Sequence, residues 1–186
     1  MSKSRQPRRP SKASLENVAL FYLERFAASA EQLRRVLVRR IERAARQLDE
    51  EPAAGLALVD DLIARYRASG LLDDRQYAGA RSRSLLRRGT STRGIRQHLA
   101  ARGVASDDIE AALAELGAEL GAEPGADADG DPDLAAAFAY ARRRRLGPYR
   151  PAPARADCRL KDLATLGRAG FSFAIARAVV DCEEAP

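Results

Sequence analysis

The chain has no tryptophan, only five Phe and five Tyr, a single histidine and two cysteines in 186 residues. Val and Ile are also few, while Ala, Leu and Arg dominate. Ala, Leu and Arg lose little side-chain freedom in a helix, whereas strands draw on β-branched and aromatic residues. This composition argues against an all-β fold and against a Rossmann-type α/β fold. The cysteines, Cys158 and Cys182, form no CxxC and have no His at metal-ligand spacing. They read as small buried residues of a reducing compartment, with a disulfide between them as the alternative.

The catalytic inventory is equally thin. His98 is the one histidine and sits in a helical pattern, where a surface or interface role is commoner than catalysis. Residues 117–125 are rich in Gly but contain neither GxGxxG nor GxxxxGK[ST]. Asp127, Asp129 and Asp131 alternate as in a calcium loop, but the glycines are misplaced and no Glu closes the loop. The sequence therefore leads us to expect no catalytic residue, no cofactor and no metal, and a protein that is not an enzyme. No apolar run reaches the roughly 18 residues a membrane span needs. No apolar stretch follows the basic N-terminus, so neither a signal peptide nor a membrane association is expected, and the chain reads as cytoplasmic.

What the chain does have is enough apolar residues, 46%, for a real core, and a strongly segregated charge. The net charge of +6 averages over blocks of opposite sign. Residues 1–14 hold five cations and no acid; residues 75–106 hold eight Arg and no acid; residues 107–133 hold ten acids and no base. Residues 134–186 return to ten basic against five acidic. Such blocks give the molecule a directional field, and a basic block points to a polyanionic partner. A merely solvated helix face is the alternative for any single Arg run.

The apolar spacing predicts helices throughout. Leu15, Val18, Ala19, Tyr22, Leu23 and Phe26 make one buried stripe. Ser29 and Gln32 form a capping-box pattern ahead of Leu33, Val36, Leu37 and Ile41. Pro52 and Gly55 break the chain before a third helix with Leu56, Val59, Leu62, Ile63 and Tyr66. The plan recurs with Tyr77, Ala80, Ser84 and Leu85, then with Ile95 and Leu99, then with Ile109, Leu113 and Leu116. It recurs again with Leu134, Phe138 and Ala141, with Leu160, Leu163 and Leu166, and with Phe173, Ile175, Ala176 and Val179. Superposing Leu62-x3-Tyr66-x3-Gly70, Ile95-x3-Leu99-x3-Gly103 and Leu163-x2-Leu166-x3-Gly170 suggests one three-helix unit used three times. Each glycine would supply a left-handed turn. A unit this small cannot stand alone, so the units should stack into an elongated array. The expected boundaries are a disordered basic tail at 1–14, repeats at 15–70, 71–120 and 133–186, and an acidic linker at 121–132.

In the basic middle, Arg81 and Arg88 lie seven residues apart on one helical face, and Arg83 and Arg87 lie four apart on an adjoining one. With no acid inside the segment, these arginines are expected to look outward, at solvent or at a partner. Guanidinium forks suit phosphate and carboxylate alike. Only Tyr77 is available there for base stacking, and no base-reading motif appears, which weakens single-strand base recognition and sequence-specific DNA binding.

Several stretches resemble one known family. They are Tyr22-Leu23-Glu24-Arg25 with Ser29 to Arg34; Gly70-Leu71-Leu72-Asp73-Asp74-Arg75-Gln76-Tyr77-Ala78; Arg87-Arg88-Gly89 with Ile95 to Val104 and Ile109 to Leu113; and Arg168-Ala169-Gly170-Phe171-Ser172-Phe173 with Ile175 and Val179. Together they resemble the RecX family, the small bacterial regulators of the RecA recombinase, over about 15–182, most specifically at 70–113. The resemblance implies an all-α crescent of tandem three-helix repeats, three repeats and about nine helices, lying in the groove of the RecA–DNA filament. It implies a protein that restrains RecA: it limits filament growth, ATP hydrolysis, strand exchange and co-protease function, and so acts in DNA repair, homologous recombination and the SOS response; a monomer is expected, although the sequence itself does not give the oligomeric state. The partner would be the RecA filament, with DNA as a secondary contact. The candidate contacts are Arg81, Arg83, Arg87, Arg88, Arg93, Arg96 and Arg102, together with Arg142, Arg143, Arg144 and Arg145. A general DNA-binding helical-repeat protein acting without RecA is the alternative. The sequence departs from the family at Ala169, where a second Arg is usual, in the acidic stretch 121–133 and in the Pro-rich loop 148–156.

Overall fold

A computed structural model describes residues 9–121 and 131–184. Among these residues the secondary structure is helical throughout. It comprises α1 (Lys12–Leu23), α2 (Ala30–Leu48), α3 (Ala53–Ala68), α4 (Asp74–Arg87), α5 (Thr92–Ala100), α6 (Ser106–Gly121), α7 (Pro132–Arg144), α8 (Arg155–Arg168) and α9 (Phe173–Val180), with short 3-10 turns at Gly147–Tyr149 and Ala152–Ala154. The chain forms two compact units. One takes residues 1–77 with 102–104, the other residues 78–101 with 105–186.

The first unit is built on α1, α2 and α3. Leu15 and Ala19 of α1, Leu33, Leu37 and Ile41 of α2, and Val59, Leu62, Ile63 and Tyr66 of α3 form its core, closed by Leu72. α2 starts where its sequence says: the Gln32 N–H donates to Ser29 Oγ at 3.2 Å, and the Ser29 N–H donates to Gln32 Oε1 at 3.3 Å. This reciprocal box satisfies donors that the first helical turn leaves free. α1 begins at Lys12, capped by Ser11, inside the stretch expected to be tail; residues 1–8 of that tail lie outside the described residues. Phe26, expected in the α1 stripe, lies past the helix end and is 56% exposed.

Gly55 does not break the chain. It lies within α3, and a Cβ there would sit 2.6 Å from Ile41 Cγ2, so the missing side chain lets α3 press against α2. The glycine superposition also needs correcting. Gly103 and Gly170 follow α5 and α8, but Gly70 follows α3. The left-handed residue after α2 is Asp49, at φ 53° and ψ 48°. Asp tolerates this region because its short polar side chain bonds locally.

In the second unit, Leu85 and Leu86 of α4, Ile95 and Leu99 of α5, and Ile109, Leu113 and Leu116 of α6 are buried. Ala136, Ala137 and Ala141 of α7, Leu163 and Leu166 of α8, Phe171, and Val179 of α9 are buried as well. Three small residues on α7 permit close helix approach. Leu160 and Phe173, both expected on apolar stripes, stand in solvent at 76% and 69%. The expected linker lies mostly outside the described residues; its ends do not, since Gly121 closes α6, Asp131 caps α7 and Pro132 is the first residue of that helix.

One polar joint occurs in each unit, and the two are alike. In the first, Ser29 Oγ also donates to the Arg102 carbonyl at 2.5 Å, while the Ala30 N–H donates to Asp74 Oδ1 at 2.8 Å. In the second, Ser91 caps α5, its Oγ donates to the Ala169 carbonyl at 2.9 Å, and the Thr92 N–H donates to Asp133 Oδ1 at 2.6 Å. Each time, a buried N-cap serine bonds to the carbonyl just before a left-handed glycine, and the next residue bonds to a first-turn Asp of another helix. The helix N-terminus favours that carboxylate.

Candidate anion-binding surface

The candidate arginines fall into two classes once the helices are in place. Arg81, Arg83 and Arg96 are engaged. Arg81 Nε donates to His98 Nε2 at 3.0 Å. Arg83, on α4, forks onto Glu119 of α6: Nε donates to Oε2 at 2.8 Å, and Nη2 donates to Oε1. Arg96, on α5, forks onto Glu110 of α6, with Nε–Oε1 at 2.7 Å and Nη2–Oε2 at 3.0 Å. The expectation that the arginines of 75–106 lack a local counter-charge therefore fails for Arg83 and Arg96. Both acids come from the block that follows in sequence, brought back by the turn before α6. The hydrogen bonds from Arg83 and Arg96 hold the Glu119 and Glu110 carboxyls below the usual glutamate range, and the same bonds raise both guanidinium pKa values.

The second class is Arg87, Arg88, Arg93, Arg142 and Arg145. All are exposed, and among the described residues their side chains have no hydrogen bond or ion pair. Arg143 and Arg144 are exposed too, and both lie over the Tyr140 ring, 5.8 and 5.6 Å from its centroid. Such contacts hold the guanidinium plane against the ring without consuming its charge.

Gly89 joins the turn after α4 to α7. It has φ 75°, and a Cβ there would lie 2.5 Å from the Tyr140 backbone nitrogen. The turn after α4, which carries Arg88, thus touches α7 at Tyr140, about one helical turn before Arg143 and Arg144. Tyr140 in turn meets the Phe171 ring edge-on at 6.0 Å. Tyr140 was not among the candidates from sequence. Its only signal was an aromatic set three residues before an arginine on a helix. Arg102 belongs to the first unit, where its carbonyl receives Ser29 Oγ.

What the arrangement can do is bind anions. Seven arginines on the end of α4, the turn after it, the first turn of α5 and the end of α7 offer forked donors that no described carboxylate occupies. No group of three His, Cys, Asp or Glu among the described residues could hold a metal ion. No helix among them is long and apolar enough to cross a membrane.

Comparison with known proteins agrees with this architecture. A family model for the second three-helix domain of RecX matches residues 73–113, the stretch carrying α4, α5 and the start of α6. The chain is 42% identical to Regulatory protein RecX of Myxococcus xanthus (strain DK1622), over 98% of this chain and 94% of that one. It is 33% identical to Regulatory protein RecX of Agrobacterium fabrum (strain C58), over 88% of this chain and 80% of that one. A crystal structure of a regulatory protein RecX shares the fold at a TM-score of 0.57 and 21% identity, covering 91% of this chain and 71% of that one. Identity of this extent over nearly the whole chain makes the chain a member of the RecX family of regulatory proteins.

Proposed function

We propose that this protein restrains the RecA recombinase by binding in the groove of the RecA–DNA filament, limiting filament growth and with it ATP hydrolysis, strand exchange and co-protease function. The observation that carries the reading is the 42% identity with a regulatory protein RecX across nearly the whole chain. The arginine surface supports it: a filament of protein and DNA is a long polyanion, and forked donors that no described carboxylate occupies suit repeated phosphate or carboxylate contacts. In this reading the protein is a cytoplasmic monomer, not an enzyme. It is made of three repeats at 15–70, 71–120 and 133–186, in keeping with the two matching polar joints, and it docks through protein contacts with DNA as a secondary contact.

The test is RecA-dependent ATP hydrolysis on single-stranded DNA, with and without the protein. Inhibition is expected. The quadruple variant R87E/R88E/R143E/R144E should inhibit far less while keeping its helical circular dichroism. If it inhibited as well as the wild type, the contact surface would lie elsewhere.

A second reading, a general DNA-binding protein acting without RecA, is favoured by the same uncommitted arginines. It requires tight duplex binding with a steep salt dependence in the absence of RecA, which a gel-shift series in salt measures directly.

A further inference from the structure

We propose that α6 supplies internal counter-anions beside this surface: Glu119 and Glu110 occupy Arg83 and Arg96 in the free protein and are exchanged for backbone phosphates when nucleic acid binds. The inference concerns the same arginine surface and rests on reading it as a polyanion contact.

The geometry has three parts. First, both pairs are forked, with two N–H groups of each arginine on one carboxylate, which is also the way a guanidinium grips a phosphate. The glutamates thus fill the contact that a phosphate oxygen pair would take. Second, both pairs are open to solvent. The side chains of Arg83 and Glu119 are 42% and 48% exposed, and those of Arg96 and Glu110 are 47% and 54% exposed. Exposed pairs are weak, so a competing anion displaces them readily. Third, the two glutamates belong to one helix and stand nine residues apart, about 13 Å along its axis. Nine residues is about two and a half helical turns, so the two carboxylates leave opposite sides of α6, Glu119 toward Arg83 of α4 and Glu110 toward Arg96 of α5.

Nucleic acid is favoured over an acidic protein surface as the displacing partner. A protein carboxylate would replace each glutamate with its chemical equal. A phosphodiester chain brings condensed counterions that are released on contact, a gain no glutamate provides. Arg87, Arg88 and Arg93 supply the initial charge, and Arg83 and Arg96 join only after release.

The test is a double-mutant cycle, read as the affinity for a fluorescent oligothymidylate at low salt, without RecA. The variant E110Q/E119Q should bind more tightly, by roughly 1.5- to 5-fold for each pair released. The variant R83Q/R96Q should bind less tightly, and adding E110Q/E119Q to it should give little further gain. All four residues are on the surface, so helical content should be unchanged. Glu119→Ala serves as a second form of the release variant. A gain that persists at full size without the two arginines would reflect general charge and overturn the proposal. So would the absence of any gain, or a wild type that does not bind the oligonucleotide. The RecA ATPase assay separates this outcome from the wider reading. A closed cycle without RecA inhibition would sink the regulatory function and leave the exchange standing; inhibition without a cycle would do the reverse.

Discussion

Thr92 gives the Asp133 carboxylate two hydrogen bonds, from its backbone N–H at 2.6 Å and from its hydroxyl at 2.9 Å. The bond joins the start of α5 to the start of α7 within the second unit, 41 residues apart in sequence. Asp133 is thus a cap supplied from another helix. Asp133→Ala should lower the stability of this unit by about 1–3 kcal/mol, because it leaves a half-buried donor unsatisfied. Thr92→Val removes only the hydroxyl bond and should cost about 1 kcal/mol. Urea unfolding followed by circular dichroism reads both.

Asp162 is 1% exposed and carries three hydrogen bonds, one from the Gly147 N–H and two from Arg150. Burial alone would raise its pKa, but the bonds from Arg150 and Gly147 together outweigh it and hold the carboxyl below the ordinary aspartate value of 3.8. A folded pKa below the unfolded one gives stability that is complete above the unfolded value and is lost as pH falls through the folded one. The wild type should therefore lose stability steeply below about pH 4, and Asp162→Asn should flatten that loss. Arg150→Ala leaves a buried carboxylate without its cation and should cost about 3–5 kcal/mol at neutral pH. Thermal melts across a pH series measure both effects.

Gly70 and Gly89 share nearly the same backbone conformation, φ 73° and 75°, in different surroundings. A Cβ on Gly70 meets nothing within 4 Å, while one on Gly89 meets the Tyr140 backbone. Gly70→Ala should cost only the left-handed penalty, about 1–2 kcal/mol. Gly89→Ala should cost clearly more and should also weaken binding of a polyanion, since it pushes Arg87 and Arg88 away from α7. Gly70→Ala should leave binding intact.

Tyr66 is buried, and its hydroxyl has no hydrogen-bond partner among the described residues. Desolvation raises its pKa, with Glu16 adding to the effect. Tyr66→Phe keeps the ring and removes the unsatisfied group, so it should raise stability by about 1 kcal/mol. A lower urea midpoint for the variant would show that the hydroxyl is satisfied in solution.

The helices were largely readable in the chain because burial imposes a three- and four-residue period, and because caps use few residue types. Ser29 with Gln32, and the left-handed Gly89, Gly103 and Gly170, behave as their positions suggest. Phe26, Leu160 and Phe173 fit an apolar period and still stand in solvent, since periodicity marks a face without saying that another element covers it. Gly55 reads as a breaker in a string, yet it is a contact point once α2 and α3 are side by side.

The charge surface divides in the same way. The sequence by itself determined the helical class, the family signature at 70–113 and the excess of arginine at 75–106, because these depend on residue type and near-neighbour spacing. Only the tertiary structure decided which arginines are free. Glu110 lies 14 residues from Arg96, and Glu119 lies 36 from Arg83. An ion pair depends on distance in space, and the turn before α6 brings these acids within reach. The approach of Gly89 to Tyr140 likewise joins the turn that carries Arg88 to the helix that carries Arg143 and Arg144, a relation that packing alone creates.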